Sequence, residues 1–261
     1  PSRYKILDNC LIGINQIYQL KRNLTLSLPR NEIVNLSYVS YEKTEASKKP
    51  PVFIFHGIIG SKRQWEAIGR SILEITQRKV VAVDLRNHGE SPHTTSHKYT
   101  ELARDVLKLL EILGEREASF IGHNMGGRTA MCVALMAPQK VAGLQVVDIS
   151  PTSSPMYYSK FMPKVLIAMK SINFRNPRRI SLARSEVRNQ LRKLGLKDKY
   201  TMRIILGNIK QKQDGTFGWA CNVDSLLHDY KHWVAFPEIT PGVVYGGPTL
   251  FVGGQLTEFI P

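Results

Sequence analysis

A chain of 261 residues with 43% hydrophobic content can bury a sizeable core, and it contains no apolar run near the roughly 18 residues that a membrane-spanning helix needs. Its three cysteines, Cys10, Cys132 and Cys221, lie far apart with no CxxC pair, which argues against a disulfide framework and against a zinc site. The formal net charge of +15 is concentrated between Lys160 and Lys212, where 15 Lys or Arg stand against two acids, Glu186 and Asp198. Such a face suits nucleic acid, anionic lipid or an acidic protein. No nucleic-acid motif or interleaved stacking aromatics accompany it, so nucleic acid is set aside, and a solvated helical surface is the plain alternative.

Residues 1–30 form an N-terminal extension with five basic residues against the single acid Asp8, a bias like that of transit segments. Ile33 to Tyr41 alternates as a strand does, and a proline-ended polar loop follows to Pro51. From Val52 the chain alternates strand and helix. Val52-Phe53-Ile54-Phe55 is a short apolar run suited to a strand buried on both faces. Ser61-x-x-Gln64 is a capping box that predicts a helix to about Gln77. Val80 to Val83 is the next strand, Glu101 to Leu113 a helix closed by Gly114, Ala118 to Ile121 a strand, Met125 to Ala137 a helix, and Leu144 to Ile149 another strand. This order implies βαβ units and a mostly parallel sheet flanked by helices over 31–149, with the site beyond the carboxyl ends of the strands. Residues 150–236 break the alternation and read as a helical cap insertion with a basic surface. Helices are expected from Ser154-Pro155 and over Leu182 to Leu194. The stripe Tyr158, Phe161, Met162, Val165 and Met169 either lines an acyl pocket or covers the core. Residues 237–261 return to the sheet through a strand at Pro248 to Val252.

The most informative stretch is Phe120-Ile121-Gly122-His123-Asn124-Met125-Gly126-Gly127, a strand, sharp turn and helix with the glycine pattern of a nucleophile elbow. The central residue is asparagine instead of serine. Asparagine tolerates positive φ, so the turn survives, but its carboxamide is no nucleophile at neutral pH. Backbone donors at Met125 and at Ile58, after His56-Gly57, are the expected oxyanion hole, and they do not depend on side-chain identity.

Taken together, His56-Gly57-x-x-Gly60-Ser61, Asp84-x-Arg86-Asn87-His88-Gly89-x-Ser91-Pro92, Gly122-His123-x-Met125-Gly126-Gly127 and Asp148-Ile149-Ser150-Pro151 resemble the α/β-hydrolase fold, and within it the alpha/beta hydrolase domain-containing protein 11 family of serine hydrolases. The resemblance extends through Asp214-Gly215-x-Phe217-x-Trp219-x-x-Asn222-x-Asp224 to Gly247-Pro248-Thr249-Leu250-Phe251. It implies a carboxylester or acylglycerol hydrolase with a Ser-His-Asp triad and no cofactor. It also implies a small acyl-ester or lipid-like ligand, a mitochondrial location, and an acidic protein partner, the 2-oxoglutarate dehydrogenase complex. Asn124 then occupies the nucleophile position and Asp224 the acid position, with a helix N-cap as the alternative role for Asp224. Glu258 and Asp148 are further acid candidates. No histidine of this sequence maps to the catalytic one, and the last strand and closing helix of the fold are missing before Pro261. The expected consequences are a catalytically impaired hydrolase, or a pseudohydrolase that binds an acyl ligand or an acidic partner, with an exposed sheet edge that lowers stability or drives self-association. His56, His88 and His123 fall in motif turns and His93 and His97 in a polar loop. His228 and His232, four apart on a helix face, lack a third ligand and read as surface residues, so no metal site is expected.

Overall fold

Four short apolar runs decide the main sheet of the computed structural model, which describes residues 33–43, 47–151, 157–175, 177–237 and 242–255. Strand β1 (Tyr38–Tyr41) lies at one edge, and β2 (Val52–Phe55) and β3 (Val80–Val83) are buried at every position, as parallel strands covered on both faces must be. Strands β4 (Ala118–His123) and β5 (Val141–Val147) follow, then a separate antiparallel hairpin, β6 (Ile209–Gln211) and β7 (Phe217–Trp219), and finally β8 (Thr249–Val252). The sheet order is β1-β3-β2-β4-β5-β8, antiparallel only at the β1–β3 pair.

Helix α1 (Glu66–Thr76) packs through Leu73 on the face carrying Tyr41, Val52, Ile54, Val80 and Ala82. Helices α2 (Tyr99–Ile112) and α3 (Met125–Met136) share the opposite core with Phe53, Phe55 and Phe120. There the Phe120 ring stacks on Phe55 at 5.5 Å and meets Phe53 edge-on at 5.9 Å. The Ser61 capping box is present, but the first turn it opens, Lys62–Trp65, is 3-10. The alternation at Ile33 to Tyr41 is real, since Val34 and Leu36 are buried. Only its last four residues form a strand, because the Val34 N–H goes to the Asp105 carboxylate at 3.0 Å and the Ser37 N–H to Ser91 Oγ at 2.8 Å.

The cap consists of α4 (Met162–Lys170), α5 (Ile180–Lys193), α6 (Lys199–Gly207), the hairpin, α7 (Val223–His228) and α8 (Tyr230–Val234). The expected start at Ser154-Pro155 lies outside the described residues. Met162, Val165 and Met169 are buried in the same apolar core as Phe53 and Phe120, so this stripe covers the core. The hairpin was not legible: strands of three residues are too short to show a period of two. Its turn is set by Gly215 at φ 82 and by Asp214 Oδ1, which accepts from the Thr216 amide at 2.9 Å.

Candidate active site

The elbow forms where β4 runs out. Asn124 has φ 57 and ψ −118, and α3 starts at the next residue. Its N–H continues the sheet by donating to Val147 O at 2.9 Å, and its carbonyl accepts from the Gly127 amide at 2.9 Å. A turn this tight needs two bare backbones. A Cβ on Gly122 would sit 2.3 Å from Gly126 O, and one on Gly126 would sit 2.5 Å from Phe55 O. The geometry of a nucleophile elbow is therefore kept while a carboxamide, 6% exposed, stands at its centre.

Beside it lies the loop after β2. The Leu85 amide can only donate, and it reaches His56 Nε2 at 3.1 Å, so Nδ1 carries the proton and donates to Gly57 O at 2.8 Å. His88 is fixed in the same way: Nε2 accepts from the Ile59 amide at 3.1 Å and Nδ1 donates to Arg86 O at 3.0 Å. Burial holds both rings neutral, pulling His56 below and His88 well below the ordinary histidine range. With both nitrogens engaged, neither ring is free to act as a general base. The loop is also tied to the cap. Asn208, at the end of α6, donates to Ile59 O at 3.0 Å while its own oxygen accepts from the amides of Ala220 and Cys221. Among the described residues the Ile58 amide has no protein acceptor. The Met125 amide opens α3, where helix donors lack intrahelical partners. The loop approaches the elbow at Gly57, where a Cβ would sit 3.2 Å from the Asn124 Cβ.

The acid candidates separate. Asp224 is not the helix N-cap; Asn222 is, accepting from the Ser225 amide at 3.2 Å. The Asp224 carboxylate is 75% exposed and pairs with Lys170 at 2.6 Å, so the described residues do not join it to the elbow. Glu258 lies outside the described residues. Asp148 follows β5 at φ 56, its N–H donates to Val252 O at 2.8 Å, and its Oδ1 is buried without a hydrogen-bond partner among the described residues. It faces His123 electrostatically: burial lowers the ring's pKa and the Asp148 charge opposes that. The elbow is thus flanked by a carboxylate with one vacant acceptor.

His97 is fully buried, although its neighbours suggested a polar loop. Its amide donates to Asp229 at 2.5 Å, its Nε2 lies 3.3 Å from Met125 Sδ, and burial first, then the Arg86 charge, brings its pKa to about 3. His228 contacts Asp229 at 2.9 Å on the surface, and among the described residues no three His, Cys, Asp or Glu side chains group as a metal site. Sequence reasoning missed the buried ion pairs that brace the strand ends. Lys62 bridges Asp84 at 2.6 Å and Glu90 at 2.8 Å, and Arg86 holds Asp105 through two bonds, at 2.6 and 2.8 Å, and Glu101 at 3.2 Å. Asp84 and Arg86 stood out as motif residues. Lys62, Glu101 and Asp105 sit in helical stretches and look like ordinary surface charges.

A family model described as the alpha/beta hydrolase fold matches residues 50–199. A zebrafish (Danio rerio) protein named sn-1-specific diacylglycerol lipase ABHD11 is 36% identical over 229 residues, covering 87% of this chain and 69% of that protein. The chain belongs to the α/β-hydrolase family, alongside ABHD11. A fission yeast (Schizosaccharomyces pombe) abhydrolase domain-containing protein is 32% identical, with 87% of this chain and 82% of that one covered. Among solved structures, a marine microorganism esterase superposes with a TM-score of 0.75 at 28% identity, over 87% of this chain and 84% of its own. In an α/β hydrolase the residue at the centre of the elbow is the nucleophile position. The residue at the turn between β4 and α3 in this chain is Asn124. No helix among the described residues is long and apolar enough to cross a membrane.

Proposed function

We propose that this chain binds an acyl ester or acylglycerol-like ligand at the elbow and turns it over far more slowly than a serine hydrolase does. The carrying observation is Asn124, which holds φ 57 and ψ −118 with no hydroxyl to attack a carbonyl. The amides of Ile58 and Met125 stabilise a carbonyl or carboxylate oxygen whatever side chain stands between them. The curated relative's name, a diacylglycerol lipase, supplies the ligand class. Loss of a triad nucleophile costs about 10⁶ in turnover, and binding plus an oxyanion hole leave roughly 10³ to 10⁴ over water. Asp224, exposed and paired with Lys170, gives less support for an acid role than Asp148 does.

The test pairs hydrolysis of p-nitrophenyl acyl esters and labelling by a fluorophosphonate with titration of a non-hydrolysable acylglycerol ether, followed by tryptophan fluorescence. The expected result is saturable ether binding, no covalent labelling, and residual hydrolysis only. Turnover near the roughly 10 s⁻¹ typical of enzymes, abolished by Asn124→Ala, would overturn the impairment. Absence of saturable ether binding would overturn the ligand assignment.

A further inference from the structure

The concentrated charge has a definite place on the fold, independent of any chemistry at Asn124. On α5 the buried residues Ala183, Val187 and Leu191 face the core at a spacing of four. Arg184, Arg188 and Arg192, each one position on, form a parallel outward stripe of about 12 Å over two turns. Together with Lys197, Lys199 and Arg203 they line a cavity of about 730 Å³. Arg184 also borders a second cavity, of about 910 Å³, with Arg63, Arg178, Arg179, Lys210 and Lys212. The two cavities thus meet at Arg184, and Glu90 and Asp214 are the acids that line the second. Among the described residues no acid pairs with Arg184, Arg188, Arg192, Lys197, Lys199 or Arg203; Arg63 alone meets one, Glu90, at 2.8 Å. So many unneutralised cations repel one another in the free protein, and an anionic surface relieves that repulsion.

Apolar residues mixed into the face indicate which surface. Tyr200, which is 67% exposed, and Ile204 line the first cavity beside the arginines. A bilayer interface uses both. Lys and Arg reach the phosphate level on long apolar stems while tyrosine enters the headgroup boundary. We propose that the α5–α6 face is a docking surface for an anionic lipid bilayer.

The experiment is co-sedimentation of the full chain with vesicles of phosphatidylcholine alone and with about 30% phosphatidylglycerol, at about 0.1 M salt. Binding is expected only with the anionic lipid. Each basic residue near such a surface strengthens binding about fivefold, so Arg184→Glu, Arg188→Glu and Arg192→Glu together should weaken it at least a hundredfold. Those side chains are exposed, and an unchanged denaturation midpoint verifies that the variant is folded. A second variant, Tyr200→Ser, keeps every charge and should also bind more weakly. Equal partition to both vesicle types, no loss in the arginine variant, or tighter binding to duplex DNA or polyglutamate than to the vesicles would overturn the proposal.

Discussion

Asn124 carries the strain of the elbow. A residue with a Cβ held at φ 57 and ψ −118 costs about 1 to 3 kcal/mol, and a serine hydrolase retains that cost because the nucleophile must stand there. With asparagine the strain remains and the chemistry that required it does not. Asn124→Gly should therefore raise stability by about 1 kcal/mol in urea unfolding, after the larger unfolded-state entropy of glycine is subtracted. A lower midpoint would show that the carboxamide itself holds the turn. His97 supports a second prediction at this scale. Its folded pKa of about 3 lies below the ordinary value of 6.5, so between those limits the unfolded chain binds the extra proton. Stability from this group is complete above pH 6.5 and is lost as pH falls toward 3, at up to about 1.4 kcal/mol per pH unit. His56 and His88 shift in the same direction and add to the slope. Urea midpoints at pH 7.5, 6 and 5 should fall in that order in the wild type, and less steeply in His97→Gln. Equal slopes would refute the assignment to His97.

At the scale of elements, the strand ends are held by charge pairs inside the protein. Arg86 ties the loop after β3 to α2 through Asp105 and Glu101, all three nearly or fully buried. Burial pushes the Asp105 carboxyl up, and the Arg86 guanidinium opposes that shift. Arg86→Leu leaves two buried acids without their cation, and the expected loss is about 3 to 5 kcal/mol, measured by chemical denaturation. Restoring the loss by adding Asp105→Leu and Glu101→Leu would show that the unpaired charges cause it; failure to restore it would place the cause in lost packing. These elements also show what the sequence could convey. The buried strands and the elbow were legible because each is written in neighbouring residues: a run of β-branched and aromatic side chains, or glycines at fixed spacing around a turn. Arg86–Asp105 spans 19 positions, and Asn208 reaches Ile59 across 149, with nothing local to mark either. Asp224 was misleading for a related reason: it stands at a helix start, as a cap does, but Asn222 two residues earlier reaches the free amide.

At the scale of the whole sheet, the described residues leave apolar surface unpaired at the β8 side. Every residue of β8 is exposed, with Leu250 at 57%, Phe251 at 48% and Val252 at 39%. On the α1 face a cavity of about 770 Å³ is lined by Trp65, Ile68, Ile72, Ile121, Val147 and Leu250. Among the described residues no strand pairs with the outer edge of β8. An open strand edge beside a contiguous apolar face is a template for another chain. The net charge of +15 opposes association, but that charge is concentrated in the cap segment and Debye screening at about 0.15 M salt limits its range to about 8 Å. Burial of apolar area is not screened. The 261-residue chain should therefore self-associate, more strongly as salt is raised, in multi-angle light scattering. Leu250→Lys with Val252→Lys places charge on the exposed edge and should shift the population toward monomer without changing the basic face. A monomer at every salt concentration in the unmodified chain would mean that the β8 edge is covered, and the prediction would fail.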